Sequence, residues 1–166
     1  MYNNLTELIY KAYEIIGGLT PIKNADCGKL CDKICCKSDE AGMLLFPGEE
    51  NIFDGIPGFY IEEIEYMDTP GMKLLMCDGE CERALRPFAC RIFPVAPSVD
   101  KDGNVDVIPD IRGRRVCPIW DLNHVDKNFT RVVKKAFELL AKDEIMLSVM
   151  RLISSELDEL RRFYKK

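Results

Sequence analysis

The chain has 166 residues, with 28 acidic against 23 basic side chains and a formal net charge of −5. A chain of this length fits one ordinary domain that buries roughly 70% of the surface its unfolded form exposes, so disulfides are not needed simply to fold it. The acidic balance offers no general attraction to nucleic acid or to an anionic membrane surface, and no apolar run approaches the ~20 residues that span a bilayer.

At the N-terminus, Leu5, Leu8, Ile9, Ala12, Tyr13, Ile15 and Ile16 recur at helical spacing, and Gly17-Gly18 stops the helix. This segment has no basic n-region and carries Glu7 and Glu14, so it reads as an amphipathic helix and not as an export signal. The expected compartment is therefore the cytosol (cytoplasmic), where thiols are kept reduced. A connector through Pro21 and Asn24 leads to "DCGKLCDKICCK" at 26–37. Residues 38–59 are punctuated by Gly and Pro around a short apolar run, Met43 to Phe46.

"YIEEIEYM" and "KLLMC" flank "DTPG", predicting a hairpin that feeds Cys77. "RIFPVAPSV" and "NVDVIPD" flank "DKDG", predicting a second hairpin whose prolines mark edge or bulged strands. From Asp126 the pattern turns helical, with Phe129, Val132, Val133, Ala136, Phe137 and Leu140 on one stripe. Asp143 is placed to cap a second helix carrying Ile145, Met146, Val149, Met150 and Ile153. Ser155-x-x-Asp158 either starts a short third helix or lies within a continuing one. The expected class is α+β: a single domain over 1–166, with a cysteine-rich metal-binding middle (24–119) containing short β-hairpins. An N-terminal helix and a C-terminal helical bundle (126–164) flank it as hydrophobic support.

Eight cysteines stand at Cys27, Cys31, Cys35, Cys36, Cys77, Cys81, Cys90 and Cys117. In a cytosolic-looking chain an even set of this kind reads as metal ligation before it reads as a disulfide framework. Cys27, Cys31 and Cys35 are each four residues apart, so neighbouring members share a helix face. All three cannot serve one ion from a straight helix, because eight residues rise about 12 Å. A tetrahedral zinc needs sulfurs only about 4 Å apart. The segment must unwind or bend, or its thiols must serve more than one centre. The adjacent Cys35 and Cys36 are expected to diverge in either regular backbone, as a junction between centres would. Four cysteines precede residue 40 and four follow residue 76, which suggests two four-thiolate sites or one cluster with a partial second site. Zinc and iron–sulfur clusters both accept such shells, so the metal itself is not named by spacing.

Basic residues surround the thiols. Lys29, Lys33 and Lys37 interleave the first group; Arg83, Arg86 and Arg91 lie around Cys81 and Cys90; Arg112, Arg114 and Arg115 precede Cys117. Cations favour thiolate over thiol and offset an anionic centre. The lysines also fit an ordinary solvated helix face.

"CGKLCDKICC", "LLFPGEE", "CDGECERALRPFACRIFP" and the "CP" at 117 together resemble the CxxCxxCC family, the YkgJ-like cysteine cluster proteins. The resemblance covers roughly 24–119, and its most specific piece is 86–94, matching R-P-x-x-C-R-x-F-P. It implies a zinc- or iron-chelating domain in which all eight cysteines take part. It also implies a distant likeness to the cysteine clusters of flagellin lysine methylases, where an iron–sulfur cluster supports protein modification. The first group departs from the family pattern in having three residues, Asp32, Lys33 and Ile34, before the cysteine pair.

The remaining candidates have ordinary explanations. "DKDGNVD" alternates Asp100, Asp102, Asn104 and Asp106 like a calcium loop, but Gly103 stands at the wrong place and Ile111 replaces the terminal glutamate. The lone His124 reads as a surface or capping residue, and Glu62, Glu63 and Glu65 as exposed strand positions. No catalytic residue is assigned. The expected function is metal binding through an all-cysteine iron–sulfur or zinc site, redox or in support of protein modification. The alternative is a zinc-stapled interaction module.

Overall fold

Helix α1, Asn4–Ile16, buries Ile9, Ala12, Tyr13 and Ile16 of the expected stripe, together with Thr6, while Ile15 is exposed. Gly17 ends it in the left-handed region, donating its N–H to the Tyr13 carbonyl at 2.8 Å. The computed structural model describes residues 4–37, 42–79 and 81–164.

At the other end of the chain stand α5, Lys127–Leu140, and α6, Glu144–Tyr164. Asp126 caps α5, its Oδ1 accepting from the N–H of Asn128 at 2.6 Å. Asp143 caps α6 in the same way, accepting from Ile145 and Met146 at 2.9 and 3.1 Å. Ser155 and Asp158 lie inside α6, so the helix continues and no third helix starts there. Helix α1 packs on α5. Ile9, Phe88, Phe129, Phe137, Met150 and Leu157 are among the buried side chains of the main core.

Between these helices the chain is mixed, with α2 (Gly28–Cys31), α3 (Glu50–Phe53) and α4 (Phe88–Ile92) all short. Strands β1 (Met43–Leu44), β2 (Phe59–Tyr66) and β3 (Thr69–Cys77) form an antiparallel sheet in the order β1-β3-β2. The first residues of the run at 43–46 thus pair as a strand, although Gly and Pro punctuation marks their surroundings as loop. The first hairpin turns at Met67-Asp68, both at positive φ (49° and 58°), and not over "DTPG". A two-residue turn with both residues left-handed matches the twist of the strands it joins. The sheet then resumes at Thr69, opposite Tyr66, and Pro70 and Gly71 lie within β3.

Strands β4 (Val95–Val99) and β5 (Val105–Pro109) form the second hairpin, a two-stranded sheet in which every strand is an edge and prolines are tolerated. In its turn, Asp100 accepts from the N–H groups of Asp102 and Asn104 at 2.9 and 2.8 Å. The calcium-like alternation is therefore a side-chain-stabilised turn. Strand β4 lies on α6, where Ser154 Oγ accepts from the Val99 N–H at 3.2 Å. The architecture is α+β: an N-terminal helix, two small antiparallel sheets and C-terminal helices.

Candidate metal centre

The first cysteine group is unwound, as its spacing demands. Cys27 precedes the single turn of α2, which ends with Cys31. Asp32 and Lys33 then both adopt left-handed φ (51° and 55°), and a 3-10 turn, Ile34–Cys36, follows. Lys33 N–H closes onto the Gly28 carbonyl at 2.9 Å, folding the strip back on itself. Each left-handed non-glycine residue costs roughly 1–2 kcal/mol in an unsupported backbone, so this reversal needs a compensating partner.

That partner is the second group. Cys77 ends β3 opposite Phe59, and the Asp78 N–H donates to the Gly58 carbonyl at 3.2 Å. Gly79 has φ +100°, and a Cβ there would stand 3.5 Å from the Cys36 carbonyl, so this turn lies directly against the first group. Cys90 sits in α4 between the buried Phe88 and Ile92. Pro87 precedes that helix with an extended backbone, and the helix can start only after it. Cys117 follows a 3-10 helix, Ile111–Arg115, and its N–H donates to the Gly113 carbonyl at 2.7 Å.

No disulfide joins any of the eight cysteines; Cys35 and Cys77 are exposed and the other six half-buried. The Cys35 and Cys36 thiols are hydrogen-bonded to each other, so the expected divergence of the adjacent sulfurs does not occur. A 3-10 turn entered from two left-handed residues is neither of the regular backbones on which that expectation stood. That hydrogen bond is the leading cause pushing the Cys35 thiol far above its ordinary range, with burial next. What does diverge is the company each keeps. Cys35 has Cys31 and Cys27 as its further electrostatic neighbours. Cys36 acts instead on Cys81 and Cys90. Burial raises the thiols of Cys27, Cys81, Cys90 and Cys117.

The arginines divide into two kinds. Arg83 and Arg86 are half-buried among the thiols: Arg83 next to Cys27 and Asp26, Arg86 next to Cys36 and Cys81. Burial opposes the charge of Arg86, yet Cys36 and Cys81 leave it raised overall. The Nε of each is buried without a hydrogen-bond partner. Arg83 also donates through Nη2 to the Leu19 carbonyl, anchoring the connector after α1. Arg91 holds the intervening loop, with Nε on the Arg86 carbonyl at 2.8 Å and Nη2 on the Ala84 carbonyl at 2.6 Å. Its guanidinium lies 4.2 Å from the Tyr13 ring centroid. Arg112 is committed to Asp110 and Glu156, and Arg114 and Arg115 stand over the Tyr164 ring. These three brace the segment before Cys117. Lys37 pairs with the exposed Asp32 at 2.6 Å, a surface contact of little energetic weight.

Glu49 is the residue the sequence hides. It stands in a Gly- and Pro-punctuated stretch of the sequence, yet it is fully buried. Oε1 accepts from Phe88 N–H at 2.6 Å and from the Tyr13 hydroxyl, and Oε2 accepts from Phe46 N–H at 2.9 Å. Burial pushes its carboxyl up to about 7, against those three hydrogen bonds. Glu49 thus fixes the start of α4, and with it Cys90, to α1 and to the end of the 43–46 run.

As placed, no three His, Cys, Asp or Glu side chains among the described residues converge tightly enough to hold an ion. The donor chemistry nevertheless fits a thiolate-bound metal: eight cysteines outside any disulfide, and two buried guanidinium N–H groups near them without an acceptor. His124 is exposed, as are Glu62, Glu63 and Glu65. A cavity of about 670 Å³ opens between the 18–26 connector and the start of α5; no cysteine lines it. No described helix is long and apolar enough to cross a membrane. Comparison of the chain with protein-family models, with curated proteins and with solved structures finds no match.

Proposed function

We propose that this chain is a metal-binding protein of the cysteine cluster type, holding zinc or an iron–sulfur cluster through Cys27, Cys31, Cys35, Cys36, Cys77, Cys81, Cys90 and Cys117. Its role is redox, or support of a protein-modification reaction. The observation that carries this reading is the pair of buried Arg83 and Arg86 Nε–H groups, which have no hydrogen-bond partner and lie among the cysteines. A buried donor without a partner costs on the order of 1–3 kcal/mol, and thiolates or cluster sulfides are the acceptors that would relieve it. The resemblance of 24–119 to the CxxCxxCC family supports the same reading.

The alternative is a zinc-stapled interaction module. Two features favour a working centre over a staple. The main hydrophobic core joins α1, α4, α5 and α6 without using a thiol, and Cys35 and Cys77 are open to solvent. Metal here supplies no chemistry to a named substrate. The chain's own contribution is to bind it, neutralise it with arginine and leave one side accessible.

Anaerobic purification followed by a visible spectrum and metal and sulfide analysis tests the proposal. Broad absorption toward the blue with stoichiometric iron and sulfide is the result expected of a cluster. Colourless protein with about one or two zinc ions supports the stapled module. Metal-free protein whose melting is unchanged by chelators, and which takes up neither metal on reconstitution, sinks both.

A further inference from the structure

We propose that the face formed by Arg114, Arg115 and Val116 with Phe163 and Tyr164 is a docking surface for an acidic protein segment, one that offers carboxylates around an apolar side chain. The inference goes beyond the metal reading and uses none of the eight thiols, although a partner seated here would lie beside Cys117.

Two elements far apart in the sequence build the face. The 3-10 helix Ile111–Arg115 packs on α6. Arg112 reaches Glu156 from it. About two turns further along α6, the Tyr164 ring receives Arg114 and Arg115, whose guanidinium carbons lie 5.4 and 5.8 Å from its centroid. Arg114 also stands 6.0 Å from the Trp120 ring. Phe163 follows Glu156 by seven residues, so it returns to the side of α6 that the 3-10 helix covers. It is nevertheless 75% exposed, the most open large hydrophobic side chain among the described residues. Tyr164 and Val116 are 42% and 39% exposed.

The same face is positive within a chain of net charge −5. Asp110 and Glu156 are taken up by Arg112, and Asp158 by Arg161. Arg114 and Arg115 are left with aromatic rings and no carboxylate partner among the described residues. Glu159, one turn before Phe163, is a single negative charge against them, and Lys165 and Lys166 follow in the sequence. Stacking holds both guanidiniums in place and leaves their N–H groups to meet carboxylates, so little ordering remains to be done on binding.

Arginine and aromatic side chains in one patch are the composition of protein–protein hot spots, where lysine and glutamate are depleted. The sign of the charge selects an acidic partner. A nucleic acid fits less well, because its affinity comes from many phosphate contacts and the chain as a whole repels a long polyanion. An anionic membrane needs a larger basic cluster, on the order of four to eight cations.

The probe is a labelled synthetic peptide of glutamates interspersed with phenylalanine and leucine, followed by fluorescence anisotropy against the full chain. Binding is expected, weakening as salt rises. Arg114→Gln, Arg115→Gln and Phe163→Ala should each weaken it about fivefold or more. Phe163→Glu should weaken it further, by setting a like charge before the peptide. Arg151→Gln, at an exposed position elsewhere on α6, should leave it unchanged.

No binding of the peptide overturns the inference. So does a Phe163→Ala variant that binds as the parent does, or an Arg151→Gln variant weakened as much as those of the face. Tighter binding to a single-stranded oligonucleotide, or to vesicles containing phosphatidylserine, assigns the face to another partner and overturns it too. Circular dichroism checks the fold of each variant. Where an arginine variant does not fold, the two Phe163 variants decide, since that side chain lies largely in solvent. Metal analysis of the same samples keeps the two readings apart. Metal-bearing protein that ignores the peptide refutes the docking surface alone, and metal-free protein that binds it counts against the metal reading alone.

Discussion

The backbone N–H of Phe88 donates to Glu49 Oε1 at 2.6 Å, tying the helix that carries Cys90 to a carboxylate 39 residues earlier in the chain. The same carboxylate receives the Tyr13 hydroxyl and the Phe46 N–H. Three elements therefore meet on one buried side chain. Glu49→Ala leaves three donors stranded in the core, each costing about 1–3 kcal/mol. A loss of about 3 kcal/mol or more is expected in urea denaturation, with Glu49→Gln losing clearly less. An alanine variant as stable as the parent would show that these bonds are not made in solution.

Glu49 also makes stability depend on pH, and the sign follows from linkage. Its folded pKa of about 7 lies above the ordinary 4.5, so between those values the folded state binds more protons than the unfolded one. Stability should therefore fall as pH rises from about 4.5 to about 7 and then level off, by an amount on the order of 3 kcal/mol. The groups facing it are the Tyr13 hydroxyl, the Arg91 guanidinium and the Cys90 thiol. Melting curves of metal-free protein across that range should show the slope, and Glu49→Gln should flatten it. A slope that survives in the glutamine variant assigns the effect elsewhere.

Arg112 grips the buried Asp110 with two hydrogen bonds, Nε at 2.9 Å and Nη2 at 2.7 Å, and reaches Glu156 at 3.1 Å. Glu156 in turn accepts from the Tyr66 hydroxyl at 2.5 Å. This network fixes the 3-10 helix just before Cys117 against α6. Arg112→Ala should destabilise by about 2 kcal/mol, less than the 3–5 typical of a broken buried pair because the arginine is partly exposed. Arg112→Lys should recover only part, since an ammonium cannot make the two-pronged contact. Full recovery by lysine would mean that charge alone matters there.

Gly48 stands at φ +86°, and a Cβ there would come within 2.7 Å of the Thr6 backbone nitrogen. Thr6 Oγ1 donates to the Gly48 carbonyl at 2.8 Å, so this turn is clamped to α1. Neither backbone can move cheaply. Gly48→Ala should lower the melting temperature by several degrees, equivalent to about 2 kcal/mol or more. Gly55→Ala, also at positive φ but facing open space, should cost less.

Cys90→Ser should lose bound metal and thermal stability together, because ligation contributes folding energy directly. His124→Ala, at an exposed position, should change neither. Metal analysis and melting of the two variants side by side check this. A serine variant with full metal content removes Cys90 from the ligand set.

Much of the frame was legible in the sequence. The apolar stripes of α1, α5 and α6 gave the helices, and Asp143 gave the cap of α6, because helix periodicity and capping are local. Both hairpins were legible for the same reason. The first turn was misplaced because Met67 advertises no left-handed preference, although Asp68 tolerates that region; pairing of the two strands imposes it on both. The depth of Glu49 was not legible, since nothing local separates a fully buried glutamate from the half-buried Glu50 beside it.

For the cysteines the boundary between sequence and tertiary structure is sharp. By itself the sequence placed eight thiols in two groups, four before residue 40 and four after residue 76. It also determined that the 27–36 strip could not serve one small ion from a straight helix, because the rise per residue is fixed. Only the tertiary structure decided which thiols are neighbours. It folded the strip back at Asp32-Lys33, brought Cys117 to Cys27 and Cys31, and set Cys36 beside Cys81 and Cys90. Proximity between segments this far apart depends on how the hairpin and helices pack, and no spacing within a single segment encodes it.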